Sequence, residues 1–190
     1  MVKNIMIVGV GGQGTLLTSR IIGKCAIASG YDVKISEVHG MAQRGGSVVT
    51  FVRYGDKVYE PVVEVGQADI VIAFEKLEAQ RYRHFLKPDG ILVVNDYKIE
   101  PMTVVTGARE YPNDVIETLK TEHSVYTIQA DAVAKSLGNP KVLNSVMLGF
   151  AAQFLGLDKD ALINTLEETV PPKTVDINKF AFNRGYEEGK

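Results

Sequence analysis

The sequence predicts an α/β fold. The expectation is a Rossmann-like three-layer sandwich with a mostly parallel sheet, a β-hairpin and a C-terminal helical tail. Three observations carry it. An apolar strand, IMIVGV at residues 5–10, runs straight into a glycine turn, and a helical pattern follows at once. Further fully apolar runs, ADIVIAF at 68–74 and GILVVN at 90–95, are typical of parallel strands covered on both faces. Pro171 and Pro172 set off a final stretch, 170–190, from the helical pattern before it.

The elements follow in order. Leu17, Ile21, Cys25 and Ala28 mark one face of a first helix over residues 13–29, with Gly30 as its C-cap. YDVKISE at 31–37 alternates as a second strand, so residues 4–37 read as a β-α-β unit. Ser47 to Tyr54 is a strand, Gly55-Asp56 a turn, and 57–59 the start of a short returning strand, which makes the hairpin. A helix near 75–85 has a solvated charged face, and Pro88-Asp89-Gly90 is a turn. Met102 to Thr106 suggests a short strand, 113–121 a short helix, 124–129 a strand and 130–137 a helix. VLNSVMLGFAAQFL at 142–155 is an apolar helix with small residues suited to close packing. Residues 158–169 form an amphipathic helix with Asp158 as N-cap. No linker or internal repeat divides residues 1–190, which read as a single domain.

The turn is the first functional signal. Gly9, Gly11 and Gly14 fit G-x-G-x-x-G, with Gly12 and Gln13 between them. Glycine lets main-chain N–H groups approach a phosphate, and the following helix points its positive end at the anion. The same glycines also serve a tight strand-to-helix turn and close helix packing, and the motif alone does not separate the two uses. A dinucleotide site would place an acid after the second strand. Glu37, 23 residues after Gly14, is the candidate, and a solvated strand end is the competing reading. Asp32 is nearer in number but precedes the strand.

The stretch VHGMAQRGGS, 38–47, has neither strand alternation nor helix-forming composition. It can cradle an anion or press on a partner chain. Arg44, beside Gly45 and Gly46, is its best anion-binding side chain, because a guanidinium holds phosphate or carboxylate with two hydrogen bonds. A surface ion pair is the alternative for Arg44, and a structural hydrogen bond the alternative for His39. His39, Met41 and Gln43, with Phe180, Phe182 and Tyr186 of the tail, are the candidate interface residues. The tail itself folds back on the core or docks a partner.

Composition narrows the classes. With 45% hydrophobic and 23% charged residues the chain can bury a core, and a net charge of −2 gives no sign of nucleic acid or an anionic membrane as partner. No apolar run suffices for a membrane span, and a cytoplasmic location is expected. The one cysteine, Cys25, lies on the apolar face of the first helix, so neither an internal disulfide nor a cysteine-ligated cluster is expected.

Three stretches together carry a family resemblance: GVGGQG at 9–14, SEVHGMAQRGGSV at 36–48 and VPPKTVDINKFAFNRGYE at 170–187. The chain resembles the gamma subunit or gamma domain of the 2-oxoacid:ferredoxin oxidoreductases, and within them the small subunit of the indolepyruvate-type enzymes. The resemblance implies a heteromeric enzyme that oxidatively decarboxylates a 2-oxoacid to an acyl-CoA and passes electrons to ferredoxin. It implies thiamine diphosphate, magnesium and 4Fe-4S clusters on a large partner subunit, coenzyme A as co-substrate, and neither a cofactor nor a catalytic residue in this chain. Residues 170–190 would then dock the partner. Two other classes stay open on the residues alone: a free-standing NAD(P)- or FAD-dependent oxidoreductase, and a nucleotide- or CoA-binding module without chemistry of its own.

Overall fold

A computed structural model describes residues 1–39 and 46–189, with the side chain of His39 also outside the description. The elements in chain order are β1 (Val2–Val10), α1 (Thr15–Ala28), β2 (Asp32–His39), β3 (Ser47–Gly55), β4 (Ala68–Ala73), α2 (Lys76–Tyr82), β5 (Leu86–Asn95), α3 (Met102–Val105), α4 (Val115–Glu122), β6 (Ser124–Ile128), α5 (Ala130–Ser136), α6 (Leu143–Leu155), α7 (Lys159–Thr169) and α8 (Val175–Glu188).

One six-stranded sheet runs in the order β2-β3-β1-β4-β5-β6. β1, β4, β5 and β6 pair in parallel, whereas β3 pairs antiparallel with both β1 and β2. Strand alternation divides the core. Ile5 and Ile7 face a layer built from α1, α5, α6, α7 and α8, while Met6 and Val8 face α2 and α4. The result is the three-layer arrangement expected.

Three elements differ from the sequence reading. The hairpin exists, but β2 and β3 form it. No strand forms at 57–59, because β3 already has a partner on each edge, and the Val58 N–H donates to Asp32 Oδ2 at 2.9 Å instead. β1 and β2 are therefore not neighbours, since β3 lies between them. Met102–Val105 is a helical turn rather than a strand, closed by Val105 and Thr106 N–H donating to the carbonyls of Pro101 and Met102.

The stretch after Pro172 is the helix α8, laid across α6. Its backbone comes so near that a Cβ added at Gly149 would overlap the Phe182 carbonyl, and one at Gly185 the Val146 carbonyl. The two glycines face each other's helix, each removing the side chain that would hold the axes apart. Beside this crossing Ala181 and Phe182 are fully buried, and Ser145 Oγ donates to Asn178 Oδ1 at 2.6 Å. The obstructing atoms are main chain, so a methyl group there has no flexible neighbour to displace. Gly149→Ala and Gly185→Ala are each expected to destabilise the protein by about 2–3 kcal/mol, read as a lower urea midpoint.

Candidate functional site

The glycine turn closes the C-terminal end of β1, beside β4, where the chain's connections diverge to opposite sides of the sheet. Crevices at such a point are the usual ligand sites of α/β sheets. Gln13 holds the turn in place. Its Oε1 accepts the Val10 N–H at 2.7 Å, and its Nε2 donates to the Phe74 carbonyl at 2.9 Å. Both ends of its amide are thus committed to the backbone of the strand ends. Gly9 leaves room for this: a Cβ there would sit 2.9 Å from Gln13 Oε1 and 3.0 Å from Phe74 Cβ. Gly12 and Gly14 have φ of 101° and 84°, in the left-handed region that favours glycine.

Gly14 is the N-cap of α1. Its carbonyl accepts the N–H groups of Leu17 and Thr18, at 3.1 and 3.2 Å. The helix start has no side-chain cap and no acidic residue in its first turn. Its leading N–H groups and the positive end of its dipole are left for an outside acceptor.

A cleft of about 430 Å³ opens on the α1 side of this turn, between Gly11, Gly12 and Gly14 on one wall and Glu37 on β2. The floor is β3, where Thr50 pairs in register with both Glu37 and Ile7. Thr50 is 1% exposed, and its Oγ1 has no hydrogen-bond partner among the described residues. An unpaired buried hydroxyl is costly, which makes it a ready partner for a ligand or water. Nothing in SVVTFVRY distinguishes Thr50 from an ordinary strand residue, so the sequence gives no signal for it.

Of the residues singled out from sequence, Gly11, Gly12, Gly14 and Glu37 line this cleft. Gly46 is held to the turn, its carbonyl accepting the Gly11 N–H at 3.0 Å. Gly9 and Gln13 shape the turn. Asp32 is excluded: it pairs with Gly55 at the opposite end of the sheet. There the Val58 N–H and then Lys34 hold its carboxyl below the ordinary range. Met41, Gln43, Arg44 and Gly45 lie outside the described residues.

The tail residues separate. Phe180 is 57% exposed and remains free to meet a partner. Phe182 is wholly buried in the core, which corrects the expectation that it forms an interface. Residues two apart on a helix point about 200° away from each other, so both cannot share one face. Tyr186 is half-buried against the core, roughly parallel to Phe182 at 6.5 Å between ring centres, with Lys159 Nζ 4.4 Å from its ring centre.

Opposite the cleft, two carboxylates sit beneath the start of β3. Glu75, 1% exposed, caps α2 by accepting the Glu78 N–H, and accepts the Tyr111 hydroxyl at 2.6 Å. Glu78, 2% exposed, accepts Ser47 Oγ at 2.5 Å and Arg81 at 2.7 Å. Burial pushes the Glu78 carboxyl above its ordinary value of 4.5, outweighing the Ser47 and Arg81 contacts. A raised acid binds its proton more tightly when folded, so its contribution to stability is full below pH 4.5 and is lost as the pH rises through the folded value. Relative to Glu78→Gln, the native chain is expected to lose stability across that window, measured by urea denaturation at stepped pH.

Comparison with known proteins agrees with this architecture. The family described as pyruvate ferredoxin/flavodoxin oxidoreductase matches residues 4–188. The chain is 38% identical to the indolepyruvate oxidoreductase subunit IorB of Thermococcus kodakarensis, over 98% of this chain and 96% of that one. It is 30% identical to the pyruvate synthase subunit PorC of Methanothermobacter marburgensis, over 96% and 94% of the two chains. The solved pyruvate oxidoreductase subunit PORC of Thermotoga maritima shares the fold, with a TM-score of 0.75 at 24% identity, covering 98% of this chain and 96% of that one. No helix among the described residues is long and apolar enough to cross a membrane. With its mostly parallel sheet, glycine turn and packed C-terminal helix, the chain belongs to the pyruvate ferredoxin/flavodoxin oxidoreductase family.

Proposed function

We propose that the chain is the non-cluster subunit of a heteromeric 2-oxoacid:ferredoxin oxidoreductase acting on indolepyruvate or a related arylpyruvate. The observation that carries this is the 38% identity with an indolepyruvate oxidoreductase subunit over nearly the full length of both chains. The holoenzyme reaction would be oxidative decarboxylation of the 2-oxoacid to an acyl-CoA with electrons passing to ferredoxin.

The chain's own residues do not fit the redox cofactors. One buried cysteine, Cys25, cannot supply four thiolates, and no three His, Cys, Asp or Glu side chains among the described residues group to hold a metal. Thiamine diphosphate, magnesium and the 4Fe-4S clusters are accordingly assigned to a large partner subunit, and no catalytic residue is assigned here. The part left to this chain is binding and positioning. Gly12 and Gly14, with the leading N–H groups of α1, would face an anionic group of coenzyme A or a nucleotide, and Gly11, whose N–H is held by the Gly46 carbonyl, would shape the wall beside it. Glu37 would accept from its hydroxyls, and Arg44, Gly45 and Gly46 are proposed to bind the same group. Supporting this are the uncapped start of α1 and the unpaired Thr50 hydroxyl in the same cleft. His39, Met41, Gln43 and Phe180 are the residues proposed to meet the large subunit.

Reconstitution tests the assignment. The chain alone is expected to show no iron absorbance and no turnover. Together with the large subunit it should reduce ferredoxin with arylpyruvates and coenzyme A in preference to pyruvate or 2-oxoglutarate. Failure to associate with any cluster-bearing subunit, or micromolar binding of NAD(P) or FAD by the chain alone, would overturn it. In the assembled enzyme Arg44→Ala is expected to raise the KM for coenzyme A about tenfold, the effect of losing a charge-assisted contact, with kcat nearly unchanged.

A further inference from the structure

The glycine turn has a second side. A cleft of about 490 Å³ lies beyond Gly12, Gln13 and Gly14, away from Glu37 and Thr50, and its other wall is the start of α6. Here two helix N-termini meet. A Cβ added at Gly14, the N-cap of α1, would stand 2.9 Å from Asn144 Cβ in the first turn of α6. α1 has no side-chain cap, α6 runs on from a 3-10 turn at Pro140–Val142 that Asn139 caps by accepting the Lys141 N–H at 3.1 Å, and neither α1 nor α6 has an acidic residue in its first turn. Two dipoles thus bring their positive ends together with no carboxylate of either helix to balance them.

Two side chains add to this field. Asn144 is 5% exposed and lines the cleft, yet its carboxamide makes no hydrogen bond among the described residues. The amide is reached from the cleft and has both a donor and an acceptor to offer a bound molecule. Lys141, just before α6, is exposed at the same cleft and forms no ion pair among the described residues. The one carboxylate in the lining is Asp131, and its Oδ2 already accepts Asn95 Nδ2 at 2.7 Å. The remaining surface is largely apolar, with Tyr97, Ile99, Val170 and Pro171 facing the cavity.

We propose that this cleft binds the phosphate group of a small ligand with an apolar or aromatic body. The phosphate sits on the joined first turns of α1 and α6, between Lys141 and the Asn144 amide. The body lies against Tyr97, Ile99 and Pro171. A phosphate suits this position better than a carboxylate, because it offers three acceptor oxygens and up to two charges to donors arriving from two helices. The site shares Gly12 and Gly14 with the Glu37 cleft but draws its other contacts from Lys141, Asn144 and Tyr97, which the Glu37 cleft lacks, so Lys141→Ala tests it apart from any coenzyme A binding there.

The test uses the full chain with inorganic phosphate, phenyl phosphate and phenylacetate as probes, followed by amide shifts in two-dimensional NMR. Phenyl phosphate is expected to shift the N–H signals of Thr15, Leu143 and Asn144, and to bind more tightly than inorganic phosphate or phenylacetate. Lys141→Ala should weaken it about tenfold, as loss of a charge-assisted contact does, while Lys135→Ala, an exposed lysine on α5, should leave it unchanged. Asn144→Asp, which puts a negative charge at the junction, should abolish binding. Lys141 is exposed, so its variant stays informative if Asn144→Asp fails to fold. The proposal is overturned if no shifts occur at residues 143–144 with phenyl phosphate at about 10 mM, a weak-binding limit. It is equally overturned if Lys141→Ala binds as the native chain does, or if phenylacetate binds more tightly.

Discussion

The amide of Gln13 is the contact on which the functional end of the molecule depends. It joins the last residue of β1 to the residue after β4, two parallel neighbours whose following segments diverge. A gap at that point exposes backbone polar groups on both strands, which must find partners. Gln13 supplies them from within the turn, while Gly11, Gly12 and Gly14 line the adjoining clefts. The arrangement separates two uses of one short loop: the side chain carries the structural load, and the main chain is left for recognition.

Electrostatics around the turn follow from the same division. Acids are absent from the first turns of α1 and α6, whereas the buried carboxylates of Glu75 and Glu78 lie on the other face of the sheet, tied to Tyr111, Ser47 and Arg81. The sheet therefore stands between a positive helix-end region and a buried acidic pair. Glu78 reaches Ser47 at the first residue of β3, so the acidic pair fixes the start of that strand.

Much of this was legible in the sequence because the signals are local. Continuous apolar runs marked β1, β4 and β5, and the spacing of Leu17, Ile21 and Cys25 marked α1. Asp158 capped α7 as its position suggested, accepting the Ala161 N–H at 2.8 Å. What escaped was non-local. The insertion of β3 between β1 and β2 depends on partners chosen across the sheet, and no pattern in SVVTFVRY encodes which strands those are. Asn144 and Thr50 read as ordinary helix and strand residues, because an unmet hydrogen bond is a property of surroundings. Phe180 and Phe182 looked like one patch until the helical phase of α8 set them on opposite sides. The family resemblance, resting on 36–48 and 170–187, pointed to function more directly than composition did.

The α6–α8 crossing bears on the order in which the molecule can be made. Phe182 and Ala181 complete a core begun by strands near residue 5, and the flank of α6 at Val146 and Gly149 is covered only when residues 175–188 arrive. A ribosome-bound chain lacking those residues holds α6 with one apolar flank uncovered, the kind of surface that chaperones bind and that promotes aggregation. Removing α8 is therefore expected to leave that flank of α6 open to other molecules, whatever else the chain assembles with.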